Sequence, residues 1–418
     1  MSSMIHILPR RSLLLGWLFL LSSLLQAQER TTPIEDFWDD VACEVIAPEG
    51  YLNEFWSSAL TLYSTTPTHI VHLGDSHVQG GFFTEPIRQT FQHLVGSASL
   101  GWVGPYRLLR TNQPLHATMR SSSSAWRGGR IIQRHYQSES PTGIFVRSTS
   151  KKMQLIQVES RNGTPFDRIL LLRPPSAPRC HLRGSEKEAR SALTFQPSNE
   201  VAVDTFLLSL PTYQAELEVP PQGEIYGVIL QNGETGTVVH TLGHNGAFFQ
   251  TYNDPAFLDG FAKCFRPRLL ILSLGTNEAL VSKFSASRVA HELQGVVRGL
   301  QSRLPHCAIL LTTPIYAYRR VGKGNAPNPH AEEVAEVIRQ EAKRLGVGYI
   351  DLYTVFGGAK RIEQLVQLGI LSKDKIHLTH EGYAAIGGAV GHALRKDLTR
   401  YTQEGHTPGI FFTPYARP

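Results

Sequence analysis

Cysteine is scarce: Cys43, Cys180, Cys264 and Cys307 are the only four in 418 residues. Their spacing matches no zinc pattern, so the chain implies no metal. Four cysteines allow three full pairings, and the sequence does not choose among them. Long hydrophobic runs are absent after residue 27, so nothing later in the chain is apolar enough to cross a membrane. Excess charge is also small. The formal net charge of +6 falls by two, to about +4, when Arg10 and Arg11 are set aside. Spread over this length, that is a mildly basic surface and not a nucleic-acid footprint, although it would suit an envelope polymer carrying carboxylates.

The one strongly apolar stretch lies at the start. Arg10 and Arg11 precede the run Leu13 to Leu25, and Ala27 offers a small residue for cleavage. This reads as a secretory signal over residues 1–27, which places the mature chain across the inner membrane, in the periplasm or envelope, where disulfides can form. No cysteine follows the run, which argues against lipoprotein processing. The rest of the chain, with 41% hydrophobic residues overall, is long enough for one large or two ordinary domains.

Apolar spacing predicts a helix over Tyr51–Tyr63, a strand over His69–Leu73 and a helix over Pro86–Leu94. Regular alternation then stops. Short β-rich runs such as 153–158, 169–172, 205–208 and 227–230 are separated by Pro, Gly, Ser and Asn, with one possible helical turn at 186–192. They predict an inserted all-β, sandwich-like or jelly-roll-like domain over 101–238. Alternation then resumes, with strands at 238–242, 269–274, 308–313 and 349–353. Helices are expected at 255–264, 286–304, 330–345 and 382–398. Apolar strands alternating with amphipathic helices mean an α/β fold with a parallel sheet covered on both faces. The expected organisation is signal 1–27, α/β domain 28–100 and 239–402, insertion 101–238, and tail 403–418.

In such sheets the ligand crevice lies at the carboxyl ends of the strands, and three segments there carry chemistry. Gly74-Asp75-Ser76-His77 ends the first strand. Gly275-Thr276-Asn277-Glu278 ends another, and Asp374-Lys375-Ile376-His377 precedes the last helix. Ser76, on a strand-to-helix turn, is the candidate nucleophile and His377 its base, with Asp374 accepting the other imidazole N–H. Asp75 fits a turn organiser, its side chain aimed away from Ser76. His380 competes with His377 but sits in a helix-capping pattern. For the oxyanion, the donors are the Ser76 N–H, the Asn277 side chain and Gly246 in Gly243-His244-Asn245-Gly246-Ala247. Each has a structural alternative: Ser76 as helix cap, His377 as helix entry, Gly246 as a bare turn glycine. Trp102, Tyr106 and Trp126 fit either sugar stacking or core packing.

Ser76, Gly246, Asn277 and His377, in this order, resemble the SGNH hydrolases, a branch of the GDSL esterase superfamily. The resemblance covers roughly 66–100 and 238–400. It implies a flavodoxin-like three-layer α/β/α fold and ester hydrolysis through an acyl-enzyme, without cofactor or metal. His77 stands where leucine is usual, and Glu278 where many members have Asp. With the β-rich insertion, these variants look like bacterial peptidoglycan O-acetylesterases, which deacetylate the C6 hydroxyl of N-acetylmuramic acid. Other readings are an acetylesterase for another polysaccharide, a lipase or lysophospholipase, and a non-catalytic glycan-binding protein. The partner implied is an acetylated glycan.

Overall fold

The computed structural model describes residues 38–61, 67–184, 201–233 and 235–405. The expected signal, the possible turn at 186–192 and most of the tail lie outside the described residues. Five buried runs rich in Leu, Ile and Val form one parallel sheet, whose strands we number β1 (Thr68–Gly74), β2 (Thr237–Gly243), β3 (Leu269–Ser273), β4 (Ala308–Thr312) and β5 (Gly348–Ile350). Nearly every residue in them is buried, as expected of strands covered on both faces. The spatial order is β2-β1-β3-β4-β5, the doubly wound order whose switch point falls beside β1. Ile70 to Gly74 pair with 269–273 on one side and with 239–243 on the other.

The helices form two packed groups. Thr84–Val95 packs with His380–Gln403, and Ala286–Arg303 packs with both Pro255–Phe265 and His330–Leu345. Each of these helices carries the expected apolar stripe. Among the described residues no helix is long and apolar enough to cross a membrane.

Boundaries moved where local chemistry outweighs periodicity. The strand expected over 349–353 ends at Ile350, because Asp351 caps the helix Leu352–Val355 by accepting from Thr354 N–H at 3.3 Å. The last helix starts at His380 and not at Gly382, since Thr379 supplies its cap to Gly382 N–H. The first helix is confined to Asn53–Ala59 among the described residues.

Between β1 and β2 the chain builds three antiparallel sheets, ordered 117–120/154–160/214–219/181–182, 224–225/144–148/126–130 and 99–103/227–231/166–173/202–212. They enclose a second buried cluster that includes Met119, Val158, Ile169, Leu171, Leu217 and Val228. The boundary expected at 238 falls inside β2, which already begins at Thr237. The described residues from Asp39 onward group as one compact unit, so this segment does not part from the rest of the fold.

Candidate active site

β1 ends at Gly74, where a side chain would not fit: a Cβ there would lie 2.5 Å from the Ser273 carbonyl oxygen and from Val78 Cγ2. The chain turns at once into the helix Ser76–Gln79, capped by Asp75, whose Oδ1 accepts from His77 N–H at 2.9 Å. Ser76 is therefore the first residue of that helix, where the backbone N–H lacks a helical acceptor and remains available to an incoming oxygen.

His377 reaches the same point from a segment 301 positions away, its Nε2 lying 2.8 Å from Ser76 Oγ. Its Nδ1 lies 2.7 Å from Asp374 Oδ2. Asp374 Oδ1 accepts from the Ile376 and His377 N–H groups at 2.9 Å and from the Ser372 hydroxyl at 2.7 Å. Burial alone would raise this carboxyl, but the donors led by His377 hold it well below the usual carboxylate range. The side chains of His377 and Asp374 remain 40% and 49% exposed, so the pair opens to solvent and a substrate can reach it. His380 is exposed, begins the last helix and packs edge-on against the Phe82 ring, making no hydrogen bond to Ser76.

Asn277 lies in the helix Thr276–Leu280 that follows β3. Its Nδ2 donates to the Ala247 carbonyl at 2.9 Å and leans on Asp75 Oδ2 at 3.3 Å. The amide is thus held, and its weaker contact is the one a substrate oxygen can displace. Asp75 has no hydrogen bond to Ser76, in line with the turn-organising reading, yet it also touches Asn277, which the sequence did not suggest. Burial pushes its carboxyl up to about 7. Gly246 is exposed at φ 85, in a turn closed by Ala247 N–H donating to the His244 carbonyl at 2.9 Å. That left-handed position favours glycine, and the space where a side chain would sit is open.

Several contacts around the site escaped the sequence reading. His77 lies 5.3 Å from the His377 ring, centroid to centroid, and its Nδ1 is 3.1 Å from the Tyr383 hydroxyl. Burial pushes His77 down to about 3, with His377 adding to the effect, so it stays neutral when an imidazolium forms beside it. Gln79, fully buried, donates through Nε2 to Thr111 Oγ1 at 2.9 Å and to the Asn112 carbonyl at 2.7 Å. Its Oε1 accepts from Asn245 N–H at 2.8 Å, beside Gly246. Gln79 stands three residues after Ser76, a legible helical spacing, but nothing in sequence points to 111–112. Trp102 and Tyr106 are core residues: the indole donates to the Tyr226 carbonyl at 3.2 Å and the phenol to the Gly243 carbonyl at 2.9 Å. Trp126 is half-buried. The four cysteines are unpaired.

A model of the GDSL-like lipase/acylhydrolase family matches residues 220–385, a span holding Gly246, Asn277, Asp374 and His377 but not Ser76. A solved peptidoglycan O-acetylesterase is similar over 85% of this chain and 99% of its own, with a TM-score of 0.69 at 19% identity, which speaks for the fold. An acetyl xylan esterase overlaps 38% of this chain and 82% of its own at 20% identity and a TM-score of 0.31. A carbohydrate esterase family 3 protein from Talaromyces cellulolyticus overlaps 41% and 74% at 15% identity and a TM-score of 0.31. No curated protein sequence matches the chain.

Proposed function

We propose that this chain, which belongs to the SGNH/GDSL hydrolases and is a carboxylic ester hydrolase, removes O-acetyl groups from a cell-envelope glycan. The glycan we favour is peptidoglycan acetylated at the C6 hydroxyl of N-acetylmuramic acid. The observation that carries the chemistry is the continuous contact from Ser76 Oγ through both His377 nitrogens to Asp374, at 2.8 and 2.7 Å. Its position at the carboxyl ends of the sheet agrees with where doubly wound folds bind ligands.

In this reading Ser76 Oγ attacks the acetyl carbonyl as His377 Nε2 takes its proton, and Asp374 holds the Nδ1 proton and the imidazolium charge. The carbonyl oxygen becomes an oxyanion that accepts from the Ser76 N–H, the Asn277 side chain and the Gly246 N–H. The intermediate collapses, the sugar C6 oxygen leaves with the proton from His377, and an acetyl-Ser76 ester remains. Water, deprotonated by His377, then releases acetate and restores the hydroxyl. An acetyl group asks little of an acyl pocket, whereas a polymer needs walls, which the sheets between β1 and β2 can provide. The apolar segment 1–27 supports export to the envelope.

Support for the substrate comes from similarity in fold to a peptidoglycan O-acetylesterase along nearly the whole of that protein. The test is acetate release from O-acetylated peptidoglycan compared with acetylated xylan. Faster release from xylan would overturn the substrate. Ser76→Ala should abolish release from both while the melting temperature holds, and a serine-reactive phosphonate should label Ser76 alone. Labelling that persists in Ser76→Ala would overturn the nucleophile.

A further inference from the structure

Beside the catalytic turn lies an open groove of about 870 Å³, between the short 3-10 helix Tyr106–Leu109 and the segment 120–128. Four arginines line it, Arg107, Arg110, Arg120 and Arg127, and no carboxylate does. Arg120 is engaged, 3.4 Å from Glu159 and donating through Nε to Gln157 at 2.7 Å. The other three are exposed and have no ion-pair partner among the described residues. Arg110 is moreover held at φ 56, a left-handed conformation that residues with a Cβ adopt only where the surroundings impose it. The hydrogen bonds from Arg110 N–H to the Arg107 carbonyl and from Thr111 N–H to the Tyr106 carbonyl impose it here.

Uncompensated like charges around one concavity repel each other and concentrate anions there. Guanidinium forks match carboxylates two bonds at a time. Half-buried Trp126 and the serine run 121–124 share this groove, adding an aromatic face and hydroxyls suited to sugar rings. The groove's inner end meets the catalytic turn, because Thr111 lines it and accepts from Gln79, which in turn holds Asn245 next to Gly246.

We propose that this groove binds the carboxylate-bearing part of a glycan chain whose neighbouring sugar is presented to Ser76. The proposal extends the envelope-glycan reading and rests on it only for the identity of the polymer. Charge at Arg107, Arg110 and Arg127 sets affinity for anionic glycan, and neutral glycan gains nothing from it.

The experiment uses the full chain with Ser76→Ala, so that polymer is bound and not consumed. Co-sedimentation with insoluble peptidoglycan stripped of O-acetyl groups is measured at low and high salt. Replacing Arg107, Arg110 and Arg127 together with glutamine should weaken binding roughly tenfold or more at low salt, with the gap closing at high salt. Replacing all three with lysine should recover most of the loss. Binding to neutral xylan should be the same in all three proteins. If the triple glutamine protein does not keep its melting temperature, Arg127→Gln alone carries the test, with a loss of about threefold expected. Unaltered sedimentation, or equal loss on neutral xylan, overturns the proposal. So does a loss seen only with phosphatidylglycerol vesicles, which would make the groove a membrane contact. If the active enzyme releases no acetate from peptidoglycan but polygalacturonate binding shows the same arginine dependence, the groove stands and the substrate reading falls.

Discussion

Glu278 Oε1 takes the Phe249 N–H at 2.6 Å, while its neighbour Asn277 donates to the Ala247 carbonyl at 2.9 Å. Two adjacent side chains thus grip both ends of the loop that follows Gly246. Glu278 is 2% exposed, and its Oε2 is buried without a partner. Burial pushes the carboxyl up to about 8, so it is mostly protonated at neutral pH. What the loop needs from it is one acceptor, not a charge. Glu278→Gln should therefore keep kcat close to the parent's and the melting temperature at least as high. Glu278→Leu strands a buried N–H, which costs about 1–3 kcal/mol, and should lower both. Equal behaviour of the two variants would show that the hydrogen bond does not hold the loop.

Asn277 gives a second prediction. Removing one oxyanion donor typically lowers turnover roughly 10² to 10³-fold. Asn277→Ala should act on kcat with little change in KM, because the donor matters most when the oxygen carries charge. Asn277 also ties the Ala247 carbonyl, so a modest loss of melting temperature should accompany it. A kcat equal to the parent's would place the donor elsewhere.

The parallel sheet and the convergence of Ser76, Asn277 and His377 were legible because both rest on local signals: apolar strands, strand-end turns and an Asp-x-x-His spacing. What was not legible depends on distant partners. The contact of Gln79 with Thr111 and Asn112 joins segments that share no pattern. The placement of His77 follows from Tyr383 and His377, both about 300 positions away. The short strand ending at Ile350 was overrun because its apolar continuation, Leu352 and Tyr353, packs equally well from a capped helical turn.

The choice between two histidines is a third prediction. His377 alone touches Ser76, so His377→Ala should remove nearly all hydrolysis, and His380→Ala, altering an exposed ring, should not. Asp374→Asn should fall between them, since it leaves a side chain that still caps the Ile376 and His377 N–H groups but cannot hold the imidazolium charge. Activity lost equally in both histidine variants would refute the assignment.

The final prediction concerns stability against pH, where two sets of buried groups pull in opposite directions. His72, His116, His240 and His244 are at most 2% exposed, and burial is the first cause of the lowered pKa of each, with His72 and His244 at about 3. Between those values and the unfolded histidine value of about 6.5 the unfolded chain binds more protons, so stability should rise with pH there. Asp75 and Glu278 have the opposite sign, because burial raises them to about 7 and about 8. Their stability is fully present below the unfolded carboxyl value of about 4 and is lost as pH climbs through the folded values. Four histidines outweigh two carboxyls in the acid window, and only the carboxyls act above about pH 6.5. Urea midpoints should therefore climb from acid pH to a maximum near neutrality and decline toward pH 8. Glu278→Gln should flatten the decline and steepen the climb above about pH 4, because glutamine keeps the acceptor and removes the proton that Glu278 holds from there up to about 8. A decline as steep in Glu278→Gln as in the parent would mean that Glu278 is ionised in the folded protein at neutral pH.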